Sequence, residues 1–121
     1  MKKIRVGVAG AAGYTGGELI RIIMNHPRAE LVSLFSRSNA NKPLHSVHQD
    51  LVGETSLQFS DSVHRDIDVL FLCMGHGESH RFLEDNRVDD NVRIIDLSND
   101  FRLAINSSVA SRKFVDRKSV V

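Results

Sequence analysis

A cluster of glycines near the start of the chain constrains its fold more than any other feature. Before the cluster, residues 2–9 alternate β-branched residues with smaller or polar ones, a pattern typical of a strand. After it, apolar residues recur with helical spacing until Pro27, which ends the predicted helix. A strand, a glycine-rich turn and a helix in this order predict the start of a βαβ unit, in which the two strands are parallel. Five of the eight glycines belong to the cluster: Gly7, Gly10, Gly13, Gly16 and Gly17.

The rest of the chain continues the alternation of strands and helices. Between the second and third strands, residues 36–53 are polar and predict a loop with little regular structure. Together the elements predict an α/β fold, a doubly wound and mostly parallel sheet with helices on its faces. The predicted strands are 30–35, 68–74 and 92–97, with a short extra strand at 57–59 and a second helix at 79–86.

Length and composition fit one soluble domain. Lys and Arg sum to 16 against 15 for Asp and Glu in 121 residues, and a net charge of +1 argues against a dedicated nucleic-acid binder. The apolar runs are too short for a membrane helix, and a single cysteine excludes an internal disulfide framework. No signal peptide is evident, which predicts a cytoplasmic protein. We predict a dinucleotide-binding domain over residues 1–105, then a loosely ordered tail or the truncated start of a further region over 106–121.

The glycine loop at residues 10–16, GAAGYTG, predicts a dinucleotide site where strand meets helix. Gly10 permits a tight turn, Gly13 lets a pyrophosphate approach the backbone, and Gly16 lets the helix pack closely. The spacing is G-x-x-G-x-x-G rather than G-x-G-x-x-G, and a turn required only for topology is the alternative. Thr15 and Glu18 also fit a capping box, which would start the helix two or three residues later. The cofactor-binding candidates here are Gly10, Ala12, Gly13, Tyr14, Thr15 and Gly16.

The end of the second strand indicates which dinucleotide the site prefers. NAD-binding folds place an acidic residue about 20 residues beyond the glycine loop, where it accepts hydrogen bonds from the ribose. This chain has Ser36, Arg37 and Ser38 there, and no carboxylate that would repel a 2′-phosphate. A guanidinium and two hydroxyls can donate to that phosphate, so the sequence predicts NADP rather than NAD. A solvated loop arginine is the alternative.

Loops after the third and fourth strands supply the remaining candidates. The carboxyl ends of parallel strands line the ligand crevice in doubly wound folds. Gly75, His76 and Gly77 follow the third strand, which would place them near the nicotinamide half of the cofactor. Ser98 follows the fourth strand at the same edge. Ordinary turn chemistry is an equal alternative for the two glycines.

The residue pattern predicts neither a metal centre nor a catalytic group in this chain. The pairs His45/His48 and His76/His80 have ligand-like spacing but no third ligand, so solvated or capping roles are favoured. Cys73 lies inside an apolar run, where a thiol is usually a buried small side chain. The basic stretch near the end of the chain lacks a nucleic-acid-binding motif.

Four segments, in this order, carry a more specific signal. They are residues 10–19 (GAAGYTGGEL), 35–37 (FSR), 73–79 (CMGHGES) and 95–102 (IDLSNDFR). Together they resemble N-acetyl-γ-glutamyl-phosphate reductase, an arginine-pathway relative of aspartate-semialdehyde dehydrogenase. Gly75 is a departure, since the family usually has proline there, and it predicts a more flexible loop.

The resemblance implies an NADP-dependent oxidoreductase of arginine biosynthesis with a Rossmann-like cofactor domain. In that family a cysteine attacks the acyl phosphate of N-acetyl-γ-glutamyl phosphate, phosphate leaves, and NADPH reduces the thioester to the semialdehyde. The family's cysteine and histidine belong to later segments. We therefore expect no catalytic residue, no substrate domain and no turnover in this chain alone. The acyl-phosphate substrate and a homo-oligomer are expected only of the full-length enzyme.

Two other functions are compatible with the same residues. One is a stand-alone NADP-binding or sensing module without catalysis. The other is the cofactor domain of an aspartate-semialdehyde dehydrogenase that acts on a different acyl phosphate. Residues 13–16 (GYTG) and 100–102 (DFR) favour the arginine branch. Neither a nucleic acid nor a membrane is expected as a partner.

Overall fold

The protein forms a four-stranded parallel sheet with a helix on each face. The computed structural model describes residues 2–75 and 77–97, and the backbone of Ser108–Val109 and Arg112–Lys113. The strands lie in the order β2-β1-β3-β4. The elements are β1 (Ile4–Ala9), α1 (Tyr14–Met24), β2 (Ala29–Phe35), β3 (Val69–Leu72), α2 (Glu78–Asp85) and β4 (Arg93–Asp96).

This strand order reverses direction between β1 and β3, as a doubly wound fold does. The chain moves outward on one side of β1 to form β2, then returns to the other side for β3 and β4. Crossovers between parallel strands are right-handed as a rule, and for this strand order the rule puts α1 and α2 on opposite faces of the sheet. The apolar side chains form two clusters accordingly, one with Ile20 and Ile23 of α1 and one with Phe82 and Leu83 of α2. The predicted α/β, doubly wound fold is confirmed.

The start of α1 differs from one prediction. The helix begins at Tyr14 with Gly13 as its N-cap, and no side chain caps it, so the capping box at Thr15 and Glu18 is wrong. Gly13 has an extended backbone, with φ of −79° and ψ of 174°, and its carbonyl accepts the first helical bond from the Gly17 amide at 2.9 Å. Thr15 is therefore already inside the first turn.

The segment between β2 and β3 is more ordered than its polar composition predicts. Residues 36–53 contain two short 3-10 helices, Leu44–Ser46 and Gln49–Leu51, and bury Leu44, Leu51 and His48. The extra strand expected at 57–59 is wrong: the chain makes only isolated bridges there, Pro43 with Gln58 and Phe35 with Ser60. The apolar side chains of this 36–60 segment join the cluster under α1, which is a tertiary contact that no local pattern reveals.

The region beyond β4 contains a small antiparallel pair. The backbone of β5 (Ser108–Val109) pairs with that of β6 (Arg112–Lys113), and the rest of the predicted tail lies outside the described residues. Within the part of the chain that the structure describes, no helix is long and apolar enough to cross a membrane.

An ion pair fixes the 36–60 segment to α1. The guanidinium of Arg21 donates from Nε and Nη2 to the two carboxylate oxygens of Asp50, at 2.8 and 2.7 Å. Nη1 of the same guanidinium lies 3.5 Å from Oε1 of Glu18. The hydrogen bond from Arg21 lowers the pKa of Asp50 to about 2 from its ordinary 3.8. The paired form therefore persists well into the acid range.

We expect the pair to stabilise the fold in a pH-dependent way. Because the folded pKa of Asp50 is lowered, its contribution is complete above about pH 4 and disappears as the pH falls through about 2. Asp50→Asn should lower the Tm by a few degrees at pH 6, since an exposed pair contributes modestly. Thermal melts between pH 2 and 6 should show this difference vanishing. The control is Asp61→Asn, at an exposed carboxylate, and an equal Tm loss at pH 2 and pH 6 for Asp50→Asn would contradict the assignment.

Candidate functional site

The predicted site residues gather at one edge of the sheet. All four strands run parallel, so their carboxyl ends lie together there. The glycine loop follows β1, residues 36–38 follow β2, and residues 73–75 follow β3. His76 and Ser98, predicted from the loops after β3 and β4, lie outside the described residues.

Gly10 turns the chain between its two neighbouring strands. Its φ of +79° belongs to the left-handed region, which favours glycine. A Cβ at Gly10 would lie 2.5 Å from the carbonyl oxygen of Cys73, at the end of β3. On the other side, the amides of Gly10 and Ala11 both donate to the carbonyl of Phe35, each at 3.1 Å. The loop is thus held between the ends of β2 and β3 by backbone contacts.

Gly16 allows α1 to start directly against the glycine loop. A Cβ at Gly16 would overlap the carbonyl oxygen of Gly10 and lie 3.0 Å from the Cα of Ala11. The close packing predicted for this glycine is therefore against the loop's own backbone rather than the sheet. Gly13 differs, because a Cβ there would meet only the Gly10 carbonyl oxygen, at an ordinary 3.6 Å. Its outer side is open to a ligand.

The first turn of α1 has backbone N–H groups without acceptors, next to the open side of Gly13. The first amides of a helix have no intrahelical acceptor, and the helix dipole adds partial positive charge there. In α1 no side chain caps the N-terminus and no acidic residue lies in the first turn. Tyr14 projects into solvent beside it, with 83% of its surface exposed. An anion such as a phosphate fits this arrangement.

The corner after β2 contains a partly buried hydroxyl and an exposed cation. Ser36 is buried, its amide donating to the carbonyl of Ser60 at 2.9 Å, whereas Arg37 and Ser38 are exposed. Within the described part of the chain, Arg37 makes no ion pair, which leaves its guanidinium available. The side-chain Nδ2 of Asn39 donates to the hydroxyls of Ser36 and Ser38, at 3.3 and 3.2 Å. Asn39 is not among the residues predicted for the site, although Asn and Ser are both typical of turns.

Reciprocal hydrogen bonds close the loop between β3 and α2. The Gly75 amide donates to Oε2 of Glu78 at 3.0 Å, and the Glu78 amide donates to the Gly75 carbonyl at 3.0 Å. Proline, the family's usual residue at this position, has no amide hydrogen and could not make the first bond. Behind the loop, the buried hydroxyl of Ser79 donates to Oδ1 of Asp96 at 2.8 Å, joining α2 to the end of β4. These bonds connect Gly75 and the start of α2 to their surroundings, and the more flexible loop expected from Gly75 stays a prediction.

His48 is a second residue that sequence analysis did not connect with the site. The spacing of His45 and His48 in the sequence resembles that of metal ligands. In the structure, however, Nε2 of His48 lies 2.7 Å from the carbonyl oxygen of Ala11 in the glycine loop. Among the described residues, no three His, Cys, Asp or Glu side chains converge on a metal-sized site. Neither residue spacing nor composition signals a contact between positions 37 residues apart.

Cys73 has the environment of an inert thiol. It is half-buried among the apolar side chains beside α1. Burial, with a smaller effect from the charge of Asp96, raises the pKa of the thiol to about 11. A nucleophilic cysteine needs a lowered pKa, so Cys73 is unsuited to that role.

The rate of alkylation measures the reactivity of the Cys73 thiol. We expect native Cys73 to react with iodoacetamide at pH 7.5 about 100-fold more slowly than in the denatured chain, because the thiolate fraction falls by that factor when the pKa rises from 9.0 to about 11. The denatured chain in guanidinium serves as the control. Rapid alkylation of the native chain would contradict a buried thiol.

Comparisons with known proteins agree with this geometry. A 48% identical relative over 103 residues is the N-acetyl-gamma-glutamyl-phosphate reductase of Christiangramia forsetii, covering 85% of this chain and 32% of the relative. The reductase of the same name from Parabacteroides distasonis is 50% identical over 101 residues, with 83% and 31% covered. The chain thus spans about a third of the length of these relatives.

A solved structure has the same fold. The crystal structure of aspartate semialdehyde dehydrogenase with NADP from Candida albicans matches with a TM-score of 0.67 at 17% identity, covering 83% of this chain and 31% of that one. The family described as semialdehyde dehydrogenase, NAD binding domain, matches residues 5–114. The chain therefore belongs to the semialdehyde dehydrogenase NAD-binding domain family.

Proposed function

We propose that this chain binds NADP as the cofactor-binding part of a reductase that converts N-acetyl-γ-glutamyl phosphate to the semialdehyde in arginine biosynthesis. One observation carries the proposal. The N-terminus of α1 has no side-chain cap, and the space beside Gly13, its N-cap residue, is open. Both lie at the carboxyl ends of the strands, next to the point between β1 and β3 where the strand order reverses. That combination is the phosphate-binding arrangement of dinucleotide folds.

Each described candidate has a place in this proposal. The first-turn amides of Tyr14, Thr15 and Gly16 would bind the pyrophosphate, with Gly13 leaving room for it. Ala12 packs against the core beside α1. Gly10 shapes the turn that precedes them. NADPH, when bound, supplies the hydride for the reduction.

The corner after β2 supports NADP over NAD. Arg37 is exposed and makes no ion pair among the described residues. Its sequence neighbours Ser36 and Ser38 carry hydroxyls that both accept from the side chain of Asn39. An acidic residue at this point would repel a 2′-phosphate, whereas a guanidinium fork binds it. The loop after β3, with Gly75 and Gly77, lies at the same edge and would face the nicotinamide half.

The relatives favour the arginine-pathway reductase over the two alternatives. Reductases of that name share 44–50% identity with the chain, against 17% for the aspartate semialdehyde dehydrogenase structure. A stand-alone binding module would have the same cofactor site. A catalytic cysteine and a substrate domain in the same polypeptide would distinguish the reductase from such a module. The absence of turnover in this chain, a cytoplasmic location and a homo-oligomeric full-length enzyme stay predictions from the sequence.

The cofactor preference gives the direct test. Arg37→Ala should weaken NADP binding about 10- to 100-fold, because a charge-assisted hydrogen bond contributes about 1.5–3 kcal/mol, and leave NAD binding nearly unchanged. Titrations with both dinucleotides, read by thermal shift or calorimetry, measure the two affinities. Arg65→Ala, at an exposed arginine before β3, is the matched control. Equal affinities of the unmodified chain for NADP and NAD would contradict the 2′-phosphate assignment.

Two glycine variants separate binding from folding. Gly13→Ala should retain the fold, since the added Cβ has ordinary contacts, but should weaken NADP binding by tenfold or more because the methyl group enters the open side. Gly16→Ala should instead lower the free energy of unfolding by about 1–3 kcal/mol, because its Cβ overlaps backbone atoms. Denaturant melts and cofactor titrations on both variants measure the difference. Unchanged NADP affinity in folded Gly13→Ala would place the pyrophosphate elsewhere.

A further inference from the structure

We propose that His48 is a positioning residue for the glycine loop, an inference that rests on the proposed dinucleotide binding. Its Nε2 lies 2.7 Å from the carbonyl oxygen of Ala11. A carbonyl oxygen can only accept a hydrogen bond, so Nε2 must carry the hydrogen and donate it. The bond links the 36–60 segment to the part of the loop that precedes the phosphate position.

This bond determines which way the next amide points. The peptide between Ala11 and Ala12 is trans, so its carbonyl and its N–H point in opposite directions. His48 holds the carbonyl toward the 36–60 segment, which turns the Ala12 N–H to the opposite side of the loop. No described group accepts that N–H, and it is free to donate to a bound phosphate. If this peptide flipped, the carbonyl dipole would instead face the phosphate and repel it.

Burial and backbone hydrogen bonds fix the position of the His48 ring, so that it can orient the Ala11 carbonyl. The residue is only 8% exposed, and its ring centroid lies 6.4 Å from that of Phe59. Its backbone is tied on both sides, since its amide donates to the Leu44 carbonyl at 3.1 Å and its carbonyl accepts from the Leu51 amide at 3.0 Å. The ion pair between Arg21 and Asp50 fixes the same stretch to α1.

The second of the two adjacent glycines in α1 provides the space for this ring. A Cβ at Gly17 would lie 2.5 Å from Cε1 and 2.8 Å from Nδ1 of His48. Glycine inside a helix costs stability relative to alanine, so a specific reason for it is expected. Here the reason is the imidazole, which occupies the place where a side chain of α1 would otherwise lie.

The first test compares variants of His48 by NADP titration and thermal melt. His48→Phe keeps a ring but removes the donor, and we expect about tenfold weaker NADP binding in the folded chain. His48→Gln keeps an N–H donor and should bind within about threefold of the unmodified chain. His45→Phe makes the same change at a half-buried histidine of the same segment, and should bind like the unmodified chain. A role limited to stability would lower the Tm of His48→Phe and leave the affinity of the folded protein unchanged, which would overturn the proposal.

Gly17→Ala tests the same contact without changing the histidine. The added methyl group displaces the ring, so NADP affinity should fall as in His48→Phe. The double variant should show no further loss, because both changes remove one interaction. Additive losses in the double variant would contradict the shared mechanism.

Measurements on the chain without cofactor test the positioning role of His48 separately from NADP binding. Nitrogen NMR of the unmodified chain should show His48 with its hydrogen on Nε2, and His48→Phe should change the amide shift of Ala12. If the unmodified chain does not bind NADP, the proposed function is wrong, and these spectra still decide whether His48 orients the loop. A hydrogen on Nδ1 alone, or an unchanged Ala12 amide, would overturn the positioning role.

Discussion

Direct backbone contacts, within the glycine loop and between the loop and the end of β3, fix where α1 begins and where the candidate site lies. Gly10 and Gly16 approach neighbouring carbonyl groups so closely that a Cβ at either position would collide with them. Because no side chain separates them, α1 starts within a few residues of β1, at the carboxyl ends of the strands. Doubly wound folds bind their ligands at this edge, where the strand order changes direction, here between β1 and β3.

The 36–60 segment contributes to two parts of the proposed cofactor site. At one end it places Arg37 and two serine hydroxyls beside the end of β2, and in its middle it brings His48 onto the Ala11 carbonyl. Buried apolar residues and the pair between Arg21 and Asp50 attach it to α1. One segment thereby contributes to both the proposed 2′-phosphate corner and the proposed pyrophosphate loop, which makes their geometry interdependent.

The chemistry gathered at this edge is that of binding. A helix N-terminus without acidic residues, an exposed arginine and hydrogen-bond donors suit an anionic cofactor, although the whole chain is nearly neutral at +1. The thiol of Cys73 lies at the same edge but has a pKa of about 11 because it is buried. This distribution agrees with the cofactor-binding role proposed for the chain.

Residue patterns alone predict the α/β alternation, the glycine loop and the polar corner after β2. These features are local: they depend on periodicity and on residues within a few positions of each other. Other features are visible only in the structure. The start of α1 at Tyr14 depends on a local backbone bond, because Gly13 rather than Thr15 accepts the first helical hydrogen bond. The ordered 36–60 segment and the contact between His48 and Ala11 depend on packing between residues distant in the chain, where burial and backbone hydrogen bonds outweigh local polarity.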